Sequence, residues 1–158
     1  MIFNEIEAFV FDFDGVLTNN LVYIGQDSKE SVACSRADGL AFDVLRKLKK
    51  PSYILSTEKN SVVSMRANKL NITAIQGISD KVKGIRQIAK EKKLNLKNIL
   101  YVGNDLNDYH VMKICGYTAC PSDSHKKIKS ISDIVLELKG GEGIVRELLE
   151  DVFDLDFI

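Results

Sequence analysis

Ile6-Glu7-Ala8-Phe9-Val10-Phe11 runs without a break into Asp12-Phe13-Asp14-Gly15-Val16. Six β-prone residues ending abruptly in Asp-x-Asp-Gly read as a buried strand entering a turn. Later stretches repeat the form. Tyr53-Ile54-Leu55 ends in Ser56-Thr57, Ile72 to Ile75 leads toward Asp80-Lys81, and Ile99-Leu100-Tyr101-Val102 ends in Gly103-Asn104-Asp105. Tyr117 to Cys120 and Ile134 to Leu138 complete the expected strands. Helical spacing fills the gaps. Asp38 is expected to cap a helix carrying Leu40, Val44, Leu45 and Leu48, which stops at Lys49-Lys50-Pro51. Val62, Met65, Ala67 and Leu70 mark a second helix, and Asp80 caps a third carrying Val82, Ile85, Ile88 and Ala89. Gly140-Gly141-Glu142-Gly143 precedes a last helix from Ile144 to about Phe153. This alternation predicts an α/β fold, a three-layer Rossmann-like parallel sheet with helices on both faces. Leu21 to Ile24 and Ser31 to Cys34 flank Gly25-Gln26-Asp27-Ser28, which predicts a β-hairpin projecting after the first strand.

With 158 residues, 45% of them hydrophobic and 28% charged, the chain is expected to form one domain over residues 1–158. Its 22 basic and 22 acidic residues cancel to a formal charge of +0, so no global field draws nucleic acid or an anionic membrane. No apolar run is long enough to cross a bilayer. Acid at Glu5 and Glu7 stands where a secretory leader carries base. Cys34, Cys115 and Cys120 lack CxxC spacing and are expected as small buried side chains in a reducing cytoplasm. His110 and His125 have no ligand spacing with them. Lys126-Lys127-Ile128-Lys129 lacks an aromatic platform and is expected as the polar face of a short helix.

Ligands of such sheets gather beyond the carboxyl ends of the strands. Those ends carry Asp12 with Asp14, Ser56 with Thr57, the segment to Asp80-Lys81, and Asn104-Asp105 with Asp108. Carboxylates brought together by folding need a cation or protons to offset their repulsion. Mg²⁺ prefers hard oxygen ligands and commonly takes one or two carboxylates plus phosphate oxygens, and Asp12, Asn104 and Asp105 can offer such oxygens. A carboxylate beside that ion can attack phosphorus and form an aspartyl-phosphate that water hydrolyses. Asp14 would then serve as general acid and afterwards general base. Lys81 and the Ser56 hydroxyl would stabilise charge on the transferring phosphoryl group. Asp108 reads either as an acid orienting Lys81 or water, or as an ordinary helix-start acid.

Asp12-Phe13-Asp14-Gly15-Val16, the Ser56-Thr57 strand end, Lys81 at a helix start and Gly103-Asn104-Asp105-Leu106-Asn107-Asp108 together resemble the four motifs of the haloacid dehalogenase superfamily of phosphotransferases. The small size, the early hairpin and Gly140-Gly141-Glu142-Gly143-Ile144-Val145-Arg146-Glu147 resemble its capless subgroup, which dephosphorylates eight- and nine-carbon ulosonic acids. The resemblance spans about Ile6 to Leu149. It implies Asp12 as nucleophile, Asp14 as acid/base, Ser56 as phosphate-binding hydroxyl, Lys81 as the neutralising cation, and no cap domain. It also implies that Asp14 meets the metal through its main-chain carbonyl. Octulosonate 8-phosphate enzymes of the subgroup usually show Thr-Gly-Arg at the second motif, whereas the nononate 9-phosphate enzymes resemble Thr-Gly-Glu-Lys followed by Arg and Lys. Here Thr57, Glu58 and Lys59 are followed by Arg66 and Lys69, so the resemblance points to a nonulosonate 9-phosphate of the kind that precedes sialic-acid activation.

Two positions depart from the pattern. Thr57 replaces the usual Gly where backbone approaches phosphate. Asn104 replaces the first acid of the usual Gly-Asp-Asp, which predicts weaker metal binding unless Asp105 takes over. Related domains fused to sialic-acid cytidylyltransferases also carry Asn there, so a catalytically silent oligomerisation module is a second reading, and 3-deoxy-octulosonate 8-phosphate hydrolysis a third. The resembling enzymes bring their C-terminal tail to a neighbouring subunit's site, which makes Glu142 and Arg146 substrate-binding candidates. They also form tetramers, and the apolar Leu21, Val22, Tyr23 and Ile24 lack a partner in the main sheet, so a homotetramer is expected.

Overall fold

The computed structural model describes residues 3–157. Strand β1 (Ala8–Phe11) is followed by a two-stranded antiparallel ribbon of β2 (Tyr23–Ile24) and β3 (Glu30–Ser31). Then come β4 (Ser52–Leu55), β5 (Thr73–Ile75), β6 (Ile99–Val102), β7 (Tyr117–Cys120) and β8 (Ile134–Val135). These five and β1 form one sheet in the order β5-β4-β1-β6-β7-β8, every pairing parallel. The chain leaves β1 toward β4 on one side and returns to β6 on the other. The carboxyl end of β1 is therefore the topological switch point, where such sheets open a crevice.

The helices are α1 (Ala37–Lys47), α2 (Val62–Leu70), α3 (Lys81–Lys92), α4 (Tyr109–Met112), α5 (Lys126–Lys129) and α6 (Ile144–Glu147), the last continuing as a wider π-helical stretch over Leu148–Val152. Alternation along the strands sorts them into two layers. Phe9, Phe11, Ile54, Leu100 and Val102 face a core with Phe42 and Leu45 of α1, Val63 and Ala67 of α2, and Val145 of α6. Val10, Tyr53, Leu55, Ile99 and Tyr101 face a second core with Ile85 and Ile88 of α3, Val111 of α4 and Ile128 of α5. Burial on both faces explains why β1 and β6 read as continuous apolar runs. Between β1 and α1 the chain inserts the ribbon alone, and β5 passes to α3 through the short segment 76–80, so no cap domain stands over the sheet. Among the described residues no helix is long and apolar enough to cross a membrane.

Three sequence expectations shift. Asp38 does not cap its own helix. It lies in the first turn of α1, 1% exposed, and its Oδ1 accepts the Val145 N–H of α6 at 2.9 Å, while Ser35 Oγ accepts the Ala37 N–H. The ribbon is shorter than its apolar arms: Cys34 pairs with Thr18 in an isolated bridge, out of register with Tyr23↔Ser31 by two positions, so the ladder breaks between them. The last strand ends at Val135 because Glu147 takes the next free amides, those of Glu137 at 2.5 Å and Leu138 at 3.0 Å.

Candidate active site

Parallel register sets the three polar strand ends side by side. Phe11 is level with Ile54 of β4 and Val102 of β6, so Asp12 emerges between Leu55-Ser56 and Gly103-Asn104. The Asp12 N–H still donates to the Val102 carbonyl at 2.9 Å, which fixes the residue to the end of the ladder. The Phe13 N–H donates to Asp12 Oδ1 at 2.8 Å. Beyond Asp14 the chain turns through Gly15, at φ +76°. A β-carbon on Gly15 would lie 1.9 Å from Asn104 Nδ2, so the absence of a side chain there is what admits the Asn104 carboxamide.

Lys81 opens α3, a position unfavourable for a cation because the helix N-terminus is itself positive. Its partners explain it. The ammonium lies 2.7 Å from Asp12 Oδ1 and 2.6 Å from Asp108 Oδ1, all three side chains buried. Burial works to lower the Lys81 pKa, but the Asp12 and Asp108 carboxylates outweigh it and raise it, so the ammonium stays charged. Burial first, and then the Asp108 charge, push Asp12 well above the usual carboxylate range against the pull of Lys81. Burial and the charge of Glu58 raise Asp14 as well.

Asp108 is fully buried and accepts four hydrogen bonds: from Lys81 Nζ, from Tyr101 Oη at 2.8 Å, and from the Asn104 and Asp105 N–H groups at 3.0 and 3.3 Å. It is a positioning acid for Lys81 and for the Asn104 turn, and it closes a capping box with Asp105 around the 3-10 turn Leu106–Asp108. The two metal-ligand candidates on this turn differ in their bonding. The Asp105 carboxylate is drawn onto its own turn, accepting the Leu106 N–H at 2.7 Å. The Asn104 side-chain oxygen is buried and has no hydrogen-bond partner.

The donor set fits Mg²⁺: the buried Asp12 carboxylate and the orphaned Asn104 amide oxygen are hard oxygens on residues that line one cleft together with Asp14. Among the described residues no three His, Cys, Asp or Glu side chains form a metal-holding group.

Asp12, Asp14, Asn20, Thr57, Asn104, Asp105, Leu106 and Asn107 line a cleft of about 310 Å³. Ser56 sits beside it, buried, its hydroxyl oxygen accepting the Glu58 N–H at 3.1 Å. The remaining sequence candidates do not line this cleft within one chain. Glu58 folds onto the Lys59 and Asn60 N–H groups. Arg66 Nη2 donates to the Ser35 carbonyl at 2.7 Å. Lys69 is exposed on α2. Glu142 turns back to the Lys139 N–H, and Arg146 pairs with Glu150 at 2.7 Å and lies over the Phe157 ring. The sequence reading missed Asn20 and Asn107 at the cleft. It also missed Thr18, fully buried, whose hydroxyl accepts the Gly15 and Asn20 N–H groups. A threonine three residues after Gly15 was the available signal for that turn.

A haloacid dehalogenase-like hydrolase family model matches residues 45–148. The 3-deoxy-D-manno-octulosonate 8-phosphate phosphatase KdsC of Yersinia pestis is 30% identical over 147 residues, covering 92% of this chain and 79% of that protein. A Streptomyces avermitilis structure, assigned to the HAD hydrolases by family alone, superposes with a TM-score of 0.92 at 36% identity, covering 95% of this chain and 86% of that one. The 3-deoxy-D-manno-octulosonate 8-phosphate phosphatase of Moraxella catarrhalis, solved with a magnesium ion, a phosphate ion and a KDO molecule, superposes with a TM-score of 0.90. Its identity is 26%, over 95% of this chain and 87% of that one. The chain belongs to the haloacid dehalogenase-like hydrolase family. Within it, no cap domain stands over the sheet of this chain, and two of these relatives are phosphatases, one of them solved with a magnesium ion.

Proposed function

We propose that this chain hydrolyses the terminal phosphate monoester of an ulosonic acid, with 3-deoxy-octulosonate 8-phosphate as the preferred ester, through an aspartyl-phosphate on Asp12. The observation that carries the chemistry is Lys81, buried between Asp12 and Asp108 at a cleft where Asn104 presents an unpartnered oxygen. Two named relatives act on that octulosonate ester, which supports it over the nonulosonate 9-phosphate expected from Glu58, Arg66 and Lys69. Arg66 bonds to Ser35 and does not line the cleft in one chain, which removes one argument for the nine-carbon acid.

The Phe13 N–H and Lys81 hold Asp12 Oδ1 and leave Oδ2 to attack phosphorus. As the new P–O bond forms, the bond to the sugar oxygen breaks and Asp14 gives that oxygen its proton. Asp14 then takes a proton from water, whose oxygen attacks the phosphorus and releases inorganic phosphate from Asp12. Lys81 and the Ser56 hydroxyl offset charge on the phosphoryl oxygens. Mg²⁺, held by the Asp12 carboxylate, the Asp14 carbonyl and the Asn104 amide oxygen, would neutralise the same oxygens.

The residues that line the cleft include no arginine or lysine, so the sugar-acid carboxylate must find its cation outside one chain's lining. A neighbouring copy supplies it in this reading. Leu21, Tyr23 and Ile24 are 59%, 55% and 75% exposed in one chain, and this uncovered apolar surface supports a homotetramer that would bury it between copies. The free thiols of Cys34, Cys115 and Cys120, with burial pushing Cys115 up to about 12, suit a cytoplasmic location.

The test is a panel of octulosonate 8-phosphate, nonulosonate 9-phosphate and glucose 6-phosphate, with Mg²⁺ and with EDTA. Octulosonate 8-phosphate is expected to lead by about tenfold or more in kcat/KM, with EDTA stopping release. A lead for the nine-carbon ester moves the assignment to it; no release from any ester leaves the assembly module. Metal binding separates Asn104 from Asp105 without turnover. Asn104→Asp is expected to tighten Mg²⁺ by about tenfold in calorimetry, since it adds a charge beside the ion, and to lower Tm in EDTA. An affinity unchanged within about twofold rules out Asn104 as ligand.

A further inference from the structure

The turn bearing Asp14 is braced from behind. Its backbone is pinned internally by Thr18 Oγ1, which accepts the Gly15 N–H at 3.1 Å and the Asn20 N–H at 3.2 Å. Against its back lies the glycine-rich segment before α6. A β-carbon on Gly140 would lie 2.1 Å from the Gly15 carbonyl oxygen and 2.9 Å from that of Thr18. One on Gly141 would lie 2.5 Å from the Asn19 nitrogen, and the Gly141 N–H donates to the Val16 carbonyl at 3.0 Å. Backbone therefore packs on backbone with no side chain between.

The segment is itself held. Asp123 Oδ1 accepts the Gly140 N–H at 3.0 Å, the Lys139 carbonyl accepts the Glu142 N–H at 3.2 Å, and Asp38 Oδ1 accepts the Val145 N–H at 2.9 Å. Gly143, at φ +105°, precedes α6 and offers no side-chain cap, so Asp38 reaches across from α1 to supply it. The other Asp38 oxygen is buried without a hydrogen-bond partner. Burial pushes this carboxyl up to about 6, against the Val145 and Arg146 amides and the Arg66 charge, which favour the ionised form.

We propose that Gly140–Gly143, locked by the Asp38 cap on α6, is a strut that fixes the Gly15–Asn19 backbone and so aims Asp14 at the cleft. Asp38, Gly140 and Gly141 are positioning residues and touch no substrate. The inference rests on Asp14 acting as the acid/base, and it gives the C-terminal glycines a task inside their own subunit. A displacement of about 1 Å at a reacting group can cost on the order of 100-fold in rate, so a cap remote from the chemistry can matter.

The experiment compares the full-length wild type, Asp38→Ala and Asp38→Asn on the best ester of the panel, together with amide hydrogen exchange. Asp38→Ala is expected to lower kcat by about tenfold or more with KM within about twofold, and to speed exchange at Gly15 and Asn20. Asp38→Asn keeps an acceptor for Val145 and is expected to restore kcat to within about threefold. Unchanged kcat and exchange in Asp38→Ala, a KM effect alone, or a folded Asp38→Asn that restores nothing overturns the strut. In the wild type the Gly15, Asn20, Gly141 and Val145 amides are expected to share one opening. If Gly141 and Val145 open while Gly15 stays closed, the strut is overturned even where Asp38→Ala does not fold. Exchange needs no substrate, so a wild type inert on every ester defeats the phosphatase reading and leaves the strut to be judged by exchange.

Discussion

Asp12→Asn is expected to abolish phosphate release, with kcat falling by about 10⁴-fold or more, because an amide cannot form the phosphoryl-enzyme. The fold is expected to persist. Burial and the Asp108 charge raise the Asp12 pKa, so its ionised form is held against a cost that a neutral amide relieves. Lys81 keeps Asp108 at 2.6 Å, and the Asn oxygen can still accept from the ammonium. Tm is therefore expected at or above that of the wild type. Rapid-quench assays should find no phosphorylated protein in the variant and a transient phosphorylated species in the wild type. Substantial turnover by Asp12→Asn would eliminate covalent catalysis at this position.

Asp108→Ala is expected to be the most destabilising single change at the site, at about 3–5 kcal/mol. It leaves the buried ammonium with Asp12 as its one remaining carboxylate and strands the Tyr101 hydroxyl and two backbone N–H groups at once. Tyr101 offers no rescue: burial and the neighbouring acids raise its pKa well above the ordinary phenol value, so it remains a donor in search of an acceptor. Asp108→Asn preserves shape and one acceptor oxygen and is expected to lose about half as much. Urea denaturation of the two variants measures both. A loss below about 1 kcal/mol for Asp108→Ala would mean that the network contributes little and that Lys81 is placed by α3 alone.

The parts of this molecule written in short-range pattern were readable from the chain. β1 and β6 announce themselves because both faces are covered, and Asp12, Asn104 and Lys81 follow from where those strands and α3 begin or end. What depends on distant partners was not readable. Asp38 resembles a cap for its own helix, yet it serves one 107 positions away. Arg66, Glu142 and Arg146 fit a family spacing, but each finds a partner within its own chain, at Ser35, Lys139 and Glu150. Asn104 and Asp105 look interchangeable in a list of oxygens; the capping box that occupies one and leaves the other bare exists only in three dimensions. The eight- and nine-carbon acids differ at a few side chains, and the pattern from Glu58 to Lys69 pointed to the longer one, whereas the named relatives act on the shorter.

The sheet ends abruptly at both margins. β5 contributes three residues and β8 two, and past β8 the free amides of Glu137 and Leu138 are already bound by the Glu147 carboxylate. An unpaired strand arriving from another molecule finds too short a row of donors and acceptors to copy. Fibrillar growth by lateral templating is thereby denied a starting rung at either border.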